Sequence, residues 1–227
     1  MSDLVITIDG PAASGKSTVA RLLAERIGAS FLDTGAMYRA VTFAAMEAGI
    51  DLQDEDQLLV VLKKKQFRFE DREGIMRTYV DEFDVTEQIR EPNITANARY
   101  IASVENIRHI LVQMQRQYAA GHRKVIAEGR DQGTVAFPQA DIKFFLIADI
   151  SVRAQRRYNE LNTKGKNESL DDVKKAIDNR DKSDQVRKVG PLKPADDAVV
   201  IDTTGLSIEQ VVEKLFQFVK KKCLKKN

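Results

Sequence analysis

Cysteine occurs once, at position 223, tryptophan not at all and histidine only twice, at 109 and 122, in a chain of 227 residues. A lone cysteine forms no internal disulfide, and three scattered nitrogen and sulfur donors assemble no zinc-type cluster. No apolar run reaches eighteen residues, and no basic segment after Met1 leads into an apolar one, so neither membrane insertion nor secretion is expected and the chain is expected to be cytoplasmic. An excess of one charge is missing too: 36 basic residues face 34 acidic ones, a net charge of +2, which gives no protein-wide field to attract nucleic acid. Internal repeats and low-complexity linkers are absent. What remains is a 43% hydrophobic, 31% charged chain of a length that suits one α/β domain with a full core.

Short apolar, β-branched runs alternate with helical spacing. Leu4 to Asp9 reads as a buried strand, and Lys16 to Ile27 as a helix with Val19, Leu22, Leu23 and Ile27 on one face, stopped at Gly28. Phe31 and Leu32 mark a second strand, followed by a helix over Ala36 to Ala48 that closes at Gly49. From Phe67 to Thr86 apolar and polar residues alternate around a turn at Glu73 and Gly74, as in a small antiparallel insert. Ile94 to Ala120 reads as one helix with Val104, Ile107, Leu111 and Met114 in register. Lys124 to Ala127, Ile142 to Ala148 and Val199 to Ile201 give three more strands, and Ser169 with Asp172 and Ser207 with Gln210 form capping boxes of two late helices. Asp51 to Asp56 reads as a helix start. Strands separated by helices imply a parallel sheet covered on both faces, with ligands at the strand C-terminal ends.

Between the first strand and the first helix stands G-x-x-x-x-G-K-[ST], with Gly10, Gly15, Lys16 and Ser17 as its fixed positions. Composition alone produces such a string in a chain this long on the order of once in a hundred, and the strand-to-helix context makes chance rarer still. Glycines let successive N–H groups converge on phosphate oxygens, the helix N-terminus adds its positive end and Lys16 supplies a mobile charge. Ser17 is placed to hold Mg²⁺, and a nucleoside triphosphate is the anion this implies. The guanine-reading N-K-x-D of a GTPase is missing, since Asn162-Thr163-Lys164-Gly165 lacks the aspartate. Arginine is plentiful instead: Arg39, Arg130, Arg180 and Arg187 lie near expected strand ends or helix termini, and Arg153, Arg156 and Arg157 follow the fourth strand. Their forks suit two phosphorylated substrates. No His-Asp or Ser-His pair stands out as a general base. A free hydroxyl acceptor needs one, whereas a monophosphate, with a second pKa of about 6, is already ionised at neutral pH. The sequence therefore favours a kinase acting on a nucleotide. His109, His122 and Cys223 read as surface or packing residues, and Lys220, Lys221, Lys222, Lys225 and Lys226 as a solvated helix end.

Several strings together resemble the bacterial cytidylate kinases: ITIDGPAASGKST (6–18), LDTGAMYRA (32–40), EGRDQGTVAFPQA (128–140) and PLKPADDA (191–198). The similarity runs over almost the whole chain. It implies a single domain over 1–227 of the P-loop NTP hydrolase fold, α/β with a five-stranded parallel sheet and helices on both faces. Within it would lie an acceptor subdomain over 36–108 that includes an insert at 63–92, and a short lid over 151–167. It further implies transfer of the γ-phosphoryl group of ATP, with Mg²⁺, to CMP or dCMP, UMP being a poorer acceptor, by a monomer that uses small-molecule substrates only. By matching position, Gly10, Pro11, Ala12, Ala13, Ser14, Gly15, Lys16, Ser17 and Thr18 would cradle ATP. Arg39, Arg130 and Arg187 would grip the acceptor phosphate with Arg180 beside them, and Asp184 would hold the ribose. Arg108 and Asp131 would read the cytosine edge, Thr34 and Tyr38 would border the pocket, and Lys16, Arg130, Arg156 and Arg157 would stabilise the transferred charge. The chain departs from the family at Arg99, where a small hydroxyl residue is usual, at Glu128, where aspartate is common, and at Gln132, which replaces an apolar residue. Glu128 or Asp33 would serve Mg²⁺ through water.

Overall fold

The computed structural model describes residues 4–72, 74–163, 165 and 168–224. Glu73 of the expected turn, Lys164, Lys166 and Asn167 of the expected lid, and Lys225 and Lys226 of the basic tail lie outside them. Five strands form one parallel sheet: β1 (Leu4–Asp9), β2 (Ser30–Asp33), β6 (Lys124–Gly129), β7 (Ile142–Ile147) and β8 (Val199–Asp202), in the order β2-β6-β1-β7-β8. The strand reading of the sequence is thus realised element by element. Alternate side chains of each strand go to opposite faces. Val125 and Ala127 of β6 join one apolar cluster with Met37, Val41, Ile101 and Leu111, while Ile126 joins the other with Ile8, Leu23, Phe144 and Leu215. The first cluster is covered by α2 (Thr34–Glu47), α3 (Glu55–Lys64), α4 (Pro92–Ser103) and α5 (Glu105–Ala120). The second lies under α1 (Lys16–Ile27) and α8 (Ile208–Leu224). A third, smaller cluster joins Ala154 and Leu161 of α6 (Ile150–Thr163) to Val173 and Ile177 of α7 (Leu170–Gln185) and to Ala12.

The expected antiparallel insert is β3 (Phe67–Arg72), β4 (Ile75–Val80) and β5 (Phe83–Asp84), paired in that order. Asp54 caps α3 by accepting the Gln57 N–H, Ser207 and Gln210 form their capping box by exchanging hydrogen bonds, and Ser169 caps α7 by accepting from the Asp172 N–H while its hydroxyl donates to the Asp172 carboxylate.

One helix expectation fails. Ile94 to Ala120 is two helices, broken at Val104, whose φ of −85° and ψ of 117° are extended. The break leaves the last carbonyls of α4 without helical partners, and Ala102 O is taken up by the guanidinium of Arg108 at 3.2 Å. Apolar spacing passes through the break because Val104 still packs against the same core. A second departure follows β6, where Gln132–Ala136 form a π-helical turn. Asp9, at the end of β1, accepts both its first N–H groups, from Gln132 at 2.9 Å and Gly133 at 2.8 Å.

Candidate active site

The loop after β1 turns sharply because its residues tolerate it. Gly10 has φ of 151°, and a Cβ there would lie 2.2 Å from the carbonyl oxygen of Leu146, so only glycine allows this approach to β7. Gly15, at φ 87°, caps α1 and leaves the helix amides open ahead of it. The buried Lys16 amine donates to Pro11 O at 2.7 Å across the loop it closes. Burial, followed by the like charge of Arg130, pulls its pKa down to about 7, so an anion placed in the loop would gain from restoring the ammonium. Arg156 holds Thr203 O at 2.6 Å and its hydroxyl at 3.2 Å, and that hydroxyl lies 3.5 Å from Ser14 O, which brings α6 and the end of β8 against the loop. Arg157 pairs with Glu160 along the helix at 2.8 Å.

Strand β6 delivers the next group. Glu128 accepts from the Ser17 hydroxyl at 2.8 Å, and its main-chain oxygen accepts from Thr34 at 2.7 Å. Ser17 and Glu128 form an oxygen-only donor pair, the chemistry Mg²⁺ prefers, and a few protein ligands suffice because that ion keeps water and substrate phosphates around it. Among the described residues no cluster of three or more His, Cys, Asp or Glu could hold a metal unaided. Asp33 lies opposite Glu128 in the sheet but is committed to other partners. It caps α2 through the Ala36 N–H and binds Arg39 at 3.1 Å and Arg90 at 3.4 Å. Burial works against its charge, but the two arginines outweigh this and hold the carboxyl below its usual range. Of the two carboxylates considered for Mg²⁺, it is Glu128 that touches Ser17.

Immediately beyond lie Arg130 and Asp131. Arg130 donates to the buried Asp184 at 2.8 Å, and Arg187 pairs with the same carboxylate. Burial would raise the Asp184 pKa, yet Arg130, Arg187 and Arg180 together lower it. Arg180 makes no hydrogen bond or ion pair among the described residues. Desolvation by the surrounding chain, then the like charge of Arg130, pulls its pKa down to about 10; the residue is exposed to solvent, and it stays charged at neutral pH. Five arginines thus stand around Asp184 and Asp33, a positive excess suited to a phosphate dianion. On the other side of Asp131, the buried Arg108 pairs with it and lies 5.5 Å from the Tyr38 ring. Burial opposes the Arg108 charge, while Tyr38 and Asp131 more than restore it. Burial pushes the Tyr38 hydroxyl up to about 12, so it stays a donor.

Sequence reasoning brought most of these residues together and missed some. Asp9, Arg90, Thr203 and Asp181 were not singled out, although Asp9 lies inside the loop string and Asp181 directly follows Arg180. Arg99 is exposed and bonded to the Tyr100 hydroxyl at 3.0 Å, and Gln132 is buried beneath Gly129. His122 bonds Tyr118 O and stacks on that ring, and His109 is exposed.

Asp9 supports a pH prediction. Burial raises its carboxyl from 3.8 to about 7 despite the two N–H groups it accepts. Between those values the folded chain keeps a proton that the unfolded chain has lost, so the contribution of this group to stability falls as pH rises. Denaturant unfolding of wild type and Asp9→Asn at about pH 4.5 and about pH 7.5 should show the wild type losing ground to the variant at the higher pH. A difference independent of pH would contradict the assignment.

A phosphate loop at the C-terminal edge of a parallel sheet, facing an arginine cluster, defines a P-loop kinase. Solved structures of the same fold include a gluconokinase from Sinorhizobium meliloti, at 15% identity and a TM-score of 0.51 over 96% of this chain and 93% of that one. A second is an uncharacterized protein from Eubacterium ventriosum, at 12% identity and a TM-score of 0.53 over 97% and 99%. The sequence is more specific. The cytidylate kinase family model matches residues 6–221, and cytidylate kinases of Leuconostoc mesenteroides and Bacillus cereus are each 42% identical, over 96% and 94% of this chain and 97% and 95% of theirs. The chain belongs to the cytidylate kinase family. No helix among its described residues is long and apolar enough to cross a membrane.

Proposed function

We propose that the chain transfers the γ-phosphoryl group of MgATP to CMP, and to dCMP, giving ADP and the corresponding diphosphate. The observation that carries this is the end of β6, where Glu128 bonds Ser17 of the phosphate loop while Arg130 and Asp131, two and three residues on, join the arginine cluster and Arg108. One strand end thereby links the donor side to the acceptor side. The amides of residues 10–18 and Lys16 would bind the ATP phosphates, and Arg39, Arg130, Arg180 and Arg187 would fix the CMP phosphate. Mg²⁺, held by Ser17 with Glu128 acting through water, would neutralise charge on the triphosphate. An ionised oxygen of CMP would bond to the γ-phosphorus as the β–γ bridging oxygen leaves with ADP. No base is required, which fits the position of both histidines outside the cluster. Catalysis then consists of placement and charge stabilisation, by Lys16 and Arg130 and by Arg156 and Arg157 on a lid. Asp131 would accept from the cytosine amino group and Arg108 would donate to the acceptor edge. Asp184 would turn from its arginines to the ribose hydroxyls, with Thr34 and Tyr38 bordering the pocket. The reading takes the enzyme to be a cytoplasmic monomer acting on these small molecules and not on nucleic acid.

An ADP-release assay over CMP, dCMP, UMP, AMP, gluconate and shikimate tests the proposal. CMP and dCMP should give the highest kcat/KM and UMP a lower one. Preference for either non-nucleotide acceptor would overturn it.

A further inference from the structure

The α6–α7 hairpin carries expected lid and acceptor residues, yet its root is fastened to the phosphate loop. Arg153 in α6 and Asp181 in α7 are a buried ion pair. Each also holds a polar atom of Ala12: its N–H donates to Asp181 at 2.9 Å, and its carbonyl accepts from Arg153 at 2.9 Å. Arg153 is anchored in turn to Ala148 O at 3.0 Å, past the end of β7. Around this pair Ala12 and Ala13 pack into the apolar cluster of the hairpin with Ala154, Leu161, Val173 and Ile177. The next residue, Ala13, has φ of 57°, a left-handed conformation that a side-chain-bearing residue adopts only when its surroundings impose it.

We propose that Arg153 and Asp181 are positioning residues that grip Ala12 and so hold the phosphate loop, through the unfavourable turn at Ala13, in the shape that receives the ATP phosphates. Neither side chain contacts substrate in this account. Both act through the main chain of the loop. The inference rests on reading that loop as the ATP site.

Removing one charge of a buried pair strands the other, whereas replacing both with apolar residues of similar size is often neutral for stability. The decisive variant is therefore Arg153→Met/Asp181→Leu, accompanied by Asp181→Asn. The control is Leu161→Ala, which empties the same cluster without touching the polar atoms of Ala12. MgATP binding is measured by calorimetry without acceptor, together with KM and kcat for each substrate and the melting temperature. The double variant and Asp181→Asn should each weaken ATP binding about tenfold, with ATP KM rising in parallel and kcat changing less. Leu161→Ala should lose thermal stability while keeping ATP affinity within about twofold. A folded double variant that binds ATP as wild type does would overturn the proposal. So would an equal affinity loss in Leu161→Ala, or failure of both charge variants to fold, which would make the pair a folding determinant only. Failure of the wild-type chain to bind MgATP would instead refute the functional reading.

Discussion

Lys16→Ala is expected to lower kcat by about 10²- to 10³-fold, the cost of removing one preorganised positive group from a site where charge develops. The same variant should not lose stability. The Lys16 amine is buried, makes its hydrogen bond to a carbonyl and not to a carboxylate, and has its pKa pulled down to about 7 by burial and then by Arg130. Its removal relieves an unfavourable desolvation. Steady-state kinetics and a melting curve on one preparation separate the two outcomes: lost turnover in a chain that melts at or above the wild-type temperature supports the account. Near-normal turnover would mean that the triphosphate is held elsewhere.

Asp131→Ala should be as damaging, and in stability as well as activity. The carboxylate neutralises Arg108, which is 2% exposed and also bonded to Ala102 O. Stranding a buried guanidinium costs about 3–5 kcal/mol, enough to lower the denaturant midpoint severely, and kcat/KM for CMP should fall about 100-fold or more. Asp131→Asn separates the roles. It removes the charge but keeps the shape and one acceptor for Arg108, and adds a donor, so it should destabilise the chain less than Asp131→Ala while the preference for CMP over UMP shrinks. If Asp131→Asn left that preference intact, base recognition would lie elsewhere.

Much of this architecture was legible in the chain. The five strands are short apolar runs bounded by polar or glycine residues, and the phosphate loop has a spacing with a single mechanical meaning, so both were read directly. The family resemblance added roles no local rule supplies: nothing in the periodicity of Arg180 to Arg187 says that Arg187 would meet Arg130 at Asp184. What escaped was set by tertiary contacts. The break at Val104 leaves the apolar spacing intact, and a carbonyl it frees is taken up by Arg108. Asp9 looked like the end of a strand, and only the fold shows its carboxylate receiving the first amides of the π turn. Asp181 and Arg153 lie 28 residues apart in sequence and meet only because α6 and α7 pack side by side.

A crystal structure with ADP and CMP bound tests the central claim most directly. The account predicts the ADP β-phosphate among the amides of residues 10–17 and the CMP phosphate among Arg39, Arg130, Arg180 and Arg187, with the two phosphates facing each other at a separation one phosphoryl group can bridge. CMP seated away from those arginines, or two nucleotides too far apart to exchange a phosphoryl group, would contradict it.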